Sequence, residues 1–468
     1  VEPIQLKTLC QWAGGAFATE PGRIAPETEA IRVCTDSRAL QPGDLFVPLR
    51  GEHFDGHAFI EQARKAGAVG ALSEQGVPAG MEIAGDFAII KVEDTLKALQ
   101  QIAGHYRQTL GLKAVTITGS NGKTSTKDFT AEVLSERFNT LKTEGNLNNH
   151  IGLPLTLLRA NRNHQAGVFE IGMNHPGEIA PLALLAAPAI GIITNIGTAH
   201  IEYMGSRDAI ALEKGMLAEA LPADGVLILP AEEDFSDLIA KRTKARVVRV
   251  GIGVGDVQAT EIRTNCPPRL GFGSRFIVTV GAEEAPTELD VPGEHMVRNA
   301  LFAIAAGMAL GMSLKECCAG LSKAKLTKGR LERKSVKGIE FLDDSYNANP
   351  DSVVAALRTL AQLPTQGRRI AMLGRMNELG SEAEKGHRRV GEAAAAHNID
   401  CIVSVGDALA GIITESAKAA GAREVYKAAS TQEAASILKE IAREGDLVLL
   451  KGSRTVGMEK ILEGFAAL

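Results

Sequence analysis

Residues 119 to 124, Gly-Ser-Asn-Gly-Lys-Thr, are of the types that hold a polyphosphate. Gly119 and Gly122 let the backbone turn tightly and aim N–H groups at an anion, with Ser120, Asn121 and Ser125 as polar lining. Lys123 would meet the β- and γ-phosphates as a point charge, and the Thr124 hydroxyl would hold Mg²⁺. The spacing GxxGKT is two residues shorter than the common phosphate loop, so a glycine-rich turn is the lesser alternative to a phosphate loop. Further chemistry lies at Glu170 in Val168 to Met173, at His200 closing Ile192 to His200, and at Lys214. A carboxylate and a hydroxyl are hard oxygen ligands, so Glu170 and Thr124 suit Mg²⁺. His200 would serve a second metal position or orient substrate, or else be a structural hydrogen-bonding group. On residue type alone, Lys214 reads as a surface lysine.

Specific elements must place these groups. Val115-Thr116-Ile117 reads as a buried strand and the residues after Thr124 as a helix, giving strand, phosphate loop and helix, with the positive end of the helix toward the anion. Residues 110 to 328 alternate strands and helices, the pattern of a parallel or mixed sheet covered on both faces. Ligands bind beyond the carboxyl ends of such strands, so the polar groups should converge on the phosphate loop. A helix from Gly293 carries Asn299, which faces either a ligand or solvent.

Residues 1 to 109 read as a first α/β domain. Strand Ile31 to Cys34 runs into Thr35-Asp36-Ser37-Arg38, followed by a turn and strand Leu45 to Val47. Thr35, Ser37 and Arg38 could bind a diphosphate, though alone they make a capped turn with a surface arginine. The polar loop Gly51 to His57 precedes a helix over Ala58 to Ala66, and another helix spans Asp94 to Leu110. Residues 329 to 468 begin at Gly329-Arg330 and show four strands interleaved with helices, Ile339 to Leu342, Ile370 to Leu373, Cys401 to Val405 and Leu447 to Leu450. This suggests a Rossmann-like domain with Asp343 to Pro350 as a binding loop. Asn265 to Ser274 reads as a local loop.

A chain of 468 residues with 45% hydrophobic and 23% charged residues suits two to four α/β domains. A formal net charge of -5 offers no general footprint for nucleic acid or anionic membrane. The apolar stretch Leu182 to Ile193 is broken by Pro188 and too short to span a bilayer. The first residues lack a basic and then an apolar region, so no secretion signal is expected and a cytoplasmic location follows. Six scattered cysteines fit reduced thiols, and Cys317-Cys318 reads as helix packing.

Taken together, the motifs resemble the Mur ligases of bacterial cell-wall synthesis over nearly the whole chain. TGSNGKTST (118–126), EGNLNNHIGLP (144–154), FEIGM (169–173), TNIGTAHIEYMGS (194–206), HMVRNALFA (295–303), GRLE (329–332), DDSYNANPDS (343–352) and KGSRTVGME (451–459) occur in the family's order. The resemblance implies three α/β domains: an N-terminal UDP-substrate domain with Thr35, Ser37 and Arg38, a central ATP domain, and a C-terminal domain for the incoming group. The DDSYNANP block looks like the member that joins D-alanyl-D-alanine to UDP-N-acetylmuramoyl-tripeptide through an acyl phosphate, using ATP and Mg²⁺.

By the same resemblance, Asn299, Arg330 and Asp344 would fix adenine, phosphate and ribose. Asn347 and Asn349 would face the dipeptide, and Lys214 matches a lysine that several members carbamylate into a metal ligand beside His200. A monomer is expected, with no nucleic-acid partner. A sister or folylpolyglutamate-type ligase and a non-catalytic nucleotide-binding scaffold are the alternatives. Two blocks depart from the family pattern: Arg375 replaces an acid in Gly374 to Gly380, and Pro230-Ala231-Glu232-Glu233 replaces an NADD-like run.

Overall fold

The computed structural model describes residues 1–18, 26–52, 54–81, 87–266 and 272–467. It divides into two compact units, one of Val1–Ala114, Asn139–Ile171 and Pro181–Ala187, the other of Val115–Phe138, Gly172–Ala180 and Pro188–Leu468. Strands and helices alternate throughout, and the fold is the three-domain α/β fold with a phosphate-loop sheet and a Rossmann-like sheet.

In the first unit a five-stranded sheet has the order Ala16–Phe17, Ala88–Lys91, Gly70–Ser73, Asp44–Phe46, Arg32–Cys34, parallel except for its first strand. Phe46, Ala71, Phe87 and Ile89 are buried against helix Ile60–Lys65 through Ile60 and Ala63. The helix expected over Ala58 to Ala66 starts earlier, as a 3₁₀ turn Gly56–Phe59 that leads into Ile60–Lys65. Asp55 causes this, because its carboxylate accepts the His57 N–H at 2.9 Å and caps the turn. His53, in the expected Gly51 to His57 loop, lies outside the described residues. Helix Thr95–Gln108 lies within the expected Asp94 to Leu110 stretch and buries Leu99, Ile102 and Tyr106, with Leu96 half-buried. This unit also holds the parallel pair Thr140–Lys142 and Ala166–Glu170.

The second unit carries two sheets. In the first, strands run Lys113–Thr118, Ile190–Ile193, Val226–Pro230, Arg246–Ile252 and Val257–Cys266 in parallel, then Gly273–Val280 and Glu283–Leu289 antiparallel. The loop expected at Asn265 to Ser274 loses both ends to these strands, and 267–271 lie outside the described residues. The second sheet has six strands, not four. Its order is Glu332–Val336, Ile339–Asp343, Leu447–Lys451, Arg369–Gly374, Cys401–Val405, Glu424–Ala428, parallel apart from the first. The two unexpected strands are the edges, half-exposed and polar, so no apolar run marks them. Glu332–Val336 turns into Ile339–Asp343 through Lys337 and Gly338, both at positive φ (53° and 76°), a two-residue hairpin made without the usual Asn-Gly signal. Phe341, Met372, Val403 and Val448 fill the core of this sheet.

Candidate active site

The phosphate loop forms because strand Lys113–Thr118 ends where Gly119 takes φ +148°, and Gly122 at φ +80° opens helix Lys123–Ser135. A Cβ on Gly119 would lie 1.9 Å from Thr194 Oγ1, so no other residue fits. The loop rests on the neighbouring strand's exit. Ser120 N–H donates to Asn195 O at 3.0 Å, Asn121 N–H to Asn195 Oδ1 at 2.9 Å, and Gly197 N–H to Ser120 Oγ at 2.8 Å. Thr194 Oγ1 donates to Asn121 O at 2.5 Å. Lys123 curls over the loop, its Nζ donating to Gly119 O at 2.8 Å, while Thr124 and Ser125 are buried.

The C-terminal segment reaches the same loop. Arg330 Nη2 lies 3.3 Å from Thr124 Oγ1, and its guanidinium sits 4.2 Å above the Tyr346 ring. Asn349 caps helix Pro350–Gln362 and donates through Nδ2 to Asn121 Oδ1 at 2.6 Å. One step on, Asp351 accepts from the Thr198 N–H and hydroxyl at 3.3 and 3.2 Å and from Arg389 at 2.7 Å. Asn299 is buried, with Oδ1 2.5 Å from where a Gly122 Cβ would stand, so it faces the loop and not solvent.

Asp344 is buried and held by Lys451, whose Nζ donates to Asp344 Oδ2 at 2.6 Å and to Asn347 O at 3.1 Å. Burial lowers the Lys451 pKa against the pull of Asp344, and burial pushes the neighbouring His295 down to about 4. Lys451 thus stands under the Asp343 to Pro350 loop.

His200 starts the short helix Ile201–Met204 from a left-handed conformation (φ +64°). Its Nδ1 is 2.7 Å from Glu378 Oε2. Glu378 is itself at φ +61°. Burial lowers the His200 pKa, opposed by Glu378 and reinforced by the charges of Lys123 and Lys214. Lys214 is not a surface residue. It lies on the inner face of helix Arg207–Glu219 beside Ile210, Ala211 and Leu217, and is 1% exposed. Burial first, then the Lys123 charge, hold its amine well below the usual lysine range. The adjacent Glu213 spends its oxygens on the Gly177 and Ile179 N–H groups, at 2.9 and 2.8 Å.

In the first unit Glu170 ends strand Ala166–Glu170 and is 3% exposed. Asn148 Nδ2 donates to its Oε1 at 2.8 Å, while Oε2 is buried with no hydrogen-bond partner. Such an orphaned carboxylate oxygen fits a hard cation. Mg²⁺ is such a cation, one that keeps water and phosphate in its shell. Thr35, Ser37 and Arg38 follow strand Arg32–Cys34. Arg38 is exposed and forks onto Asp36 at 2.9 and 2.9 Å, holding that carboxyl down to about 2, and Ser37 O accepts from Gln62 at 3.1 Å.

Glu378, Lys451 and Asp351 were not singled out by sequence, although each lies in or beside a motif block quoted above. A cavity of about 620 Å³ opens beside Asn121, walled by Thr198, Glu233, His295, Arg298 and Arg389 among others. Burial, with Asp234 next to it, pushes Glu233 up to about 7 against the opposing Arg207.

Three family descriptions match the chain: Mur ligase family, catalytic domain, over residues 32–107; Mur ligase middle domain over 117–307; and Mur ligase, glutamate ligase domain, over 329–454. The UDP-N-acetylmuramoyl-tripeptide–D-alanyl-D-alanine ligase of Bacillus subtilis is 38% identical, with 92% of each chain covered. That of Escherichia coli is likewise 38% identical, again with 92% of each chain covered. Among solved structures, MurF from Acinetobacter baumannii aligns with a TM-score of 0.90 at 33% identity over 100% of both chains. MurF ligase from Thermotoga maritima in complex with ADP aligns with a TM-score of 0.81 at 25% identity, over 94% of this chain and 97% of that one. Among the described residues no helix is long and apolar enough to cross a membrane. With a phosphate loop, a buried carboxylate, a histidine and a buried lysine in the family's order, the chain belongs to the Mur ligase family and stands beside its D-alanyl-D-alanine-adding members.

Proposed function

We propose that this chain joins D-alanyl-D-alanine to UDP-N-acetylmuramoyl-tripeptide, forming one amide bond and releasing ADP and phosphate. The observation that carries the reading is the meeting of Arg330 and Asn349 with Thr124 and Asn121, which puts the acceptor-side DDSYNANP loop on the phosphate loop. A carboxylate is a poor electrophile, so it must first be activated. The tripeptide carboxylate oxygen attacks the γ-phosphorus and ADP leaves, giving an acyl phosphate. The dipeptide amine then attacks the acyl carbon, loses a proton, and the tetrahedral intermediate expels phosphate.

The N–H groups of 122 to 125 and Lys123 hold the transferring phosphoryl group, those of Ser120 and Asn121 being given to Asn195, and Arg330 neutralises charge from the C-terminal side. Asn299 and Asp344 take adenine and ribose, and Asn347 and Asn349 face the dipeptide. Thr35, Ser37 and Arg38 take the UDP diphosphate. Thr124, and separately Glu170, would each offer oxygen to Mg²⁺, with His200 and Lys214 serving a second position, and the ion would supply further charge neutralisation. Lys214 enters that role as a carbamate: the uncharged amine is the form that adds CO₂, burial favours that form, and Lys123 favours the resulting anion as it disfavours an ammonium. We assign residues 1–109, 110–328 and 329–468 to the UDP-substrate, ATP and dipeptide domains, and place the enzyme in the cytoplasm as a monomer.

The test is phosphate release from ATP with Mg²⁺ and UDP-N-acetylmuramoyl-tripeptide, offering D-alanyl-D-alanine or single amino acids. Release that needs the dipeptide and vanishes in Lys123→Ala supports the assignment. Turnover with a single amino acid would move the chain to a sister step, and tight ATP binding without turnover would make it a scaffold.

A further inference from the structure

Asp128 lies on the phosphate-loop helix, one turn beyond Thr124, and is 1% exposed. Its Oδ2 accepts two hydrogen bonds from one residue of the connector that leads into strand Glu332–Val336, the Thr327 N–H at 2.8 Å and the Thr327 hydroxyl at 2.7 Å. Its Oδ1 lies 3.4 Å from Nζ of Lys127, itself buried. Thr327 stands three residues before Arg330, whose guanidinium meets Thr124. Positions i and i+4 share one helix face. Thus Thr124 and Asp128 bind Arg330 and Thr327 side by side, and the connector is laid along the helix with both ends tied.

The stretch beyond is equally constrained. Gly329 (φ +72°) and Leu331 (φ +51°) bracket Arg330 in left-handed conformations, and Gly329 O accepts the Tyr346 N–H at 3.3 Å. A connector in this register has one way to present Arg330. Charge-assisted bonds to a buried carboxylate are the strong kind, and nothing in the proposed chemistry uses Asp128.

We propose that Asp128 is a positioning residue: by gripping Thr327 it sets the register of the connector on the phosphate-loop helix, so that Arg330 reaches the phosphate loop. The inference rests on the reading of Arg330 as a phosphate-holding group. The experiment is a double-mutant cycle on full-length protein, scored by kcat/KM for ATP in dipeptide-dependent phosphate release. Thr327→Val keeps the side-chain size, removes the hydroxyl donor and leaves the Asp128–Lys127 pair intact; Asp128→Asn is the companion variant, with circular dichroism as a check on folding. Thr327→Val should lower kcat/KM about tenfold, Thr327→Ser should restore it to within about twofold, and in an Arg330→Ala background Thr327→Val should change it by less than about twofold. A tenfold loss in both backgrounds, or no loss in either, would overturn the clamp alone. An Arg330→Ala variant as active as the parent would remove the reading of Arg330 and the clamp with it.

Discussion

Glu233→Gln should stabilise the protein, and only at the alkaline end of its range. Glu233 is half-buried on the cavity wall, its side chain 20% exposed, and takes up its proton at about 7 against an ordinary 4.5. Burial is the largest cause, followed by the hydrogen bond and negative charge of Asp234, with Arg207 opposing. Between pH 4.5 and 7 the folded chain therefore binds more protons here than the unfolded chain. Stability present below pH 4.5 is lost as pH rises through 7. At about 1.4 kcal/mol per pH unit the full penalty at pH 8 is roughly 3 kcal/mol, and partial exposure discounts it to about 1–3 kcal/mol.

Glutamine keeps the shape without the charge, and Arg207 retains both Asp234 oxygens, at 3.0 and 3.0 Å. Calorimetry at pH 8 should show the variant melting a few degrees higher, on the order of 2–4 °C per kcal/mol or somewhat less for so large a unit. At pH 4.5 the two proteins should melt together. An equal gain at both pH values, or a loss at pH 8, would refute the account of a proton held by burial.

Gly119→Ala should abolish ATP binding by calorimetric titration, because its Cβ would stand 1.9 Å from Thr194 Oγ1 at a backbone φ of +148°. Lys451→Met should unfold about 3–5 kcal/mol more easily in urea, since it leaves the Asp344 carboxylate buried without its cation; activity equal to the parent at equal stability would count against the loop-anchoring role. With ¹³C-bicarbonate, the protein should show a carbamate carbon resonance that disappears in Lys214→Arg, and a spectrum without that resonance would leave Lys214 an amine.

The phosphate loop was legible because its chemistry is local: strand, glycines, lysine and helix are consecutive, and Gly119 and Gly122 take the conformations their spacing calls for. The burial of Glu170 could likewise be read from the apolar strand before it. Lys214 was less readable, because Glu213-Lys214 on a helix looks like a solvated pair, and only the tertiary fold directs Glu213 to the Gly177 and Ile179 backbone. Glu378 and Lys451 gain their meaning from His200 and Asp344, partners remote in sequence, and no local period encodes such pairs. The edge strands Glu332–Val336 and Glu424–Ala428 escaped for the opposite reason, since an edge buries too little to leave an apolar trace.

Several hydrogen bonds between side chains tie the C-terminal segment to the phosphate loop and its neighbour Thr198: Asn349 to Asn121, Thr198 to Asp351, Arg330 to Thr124. Each is worth about 1 kcal/mol net, because water can take either partner's place. Hydrogen bonds of this kind can be exchanged for bonds to water one at a time, while the apolar cores of the two sheets are built from other residues. Breaking them in this way makes nucleotide departure a distinct event with its own small barrier, and at saturating substrates the exchange of spent nucleotide for fresh can then set the tempo of the whole cycle.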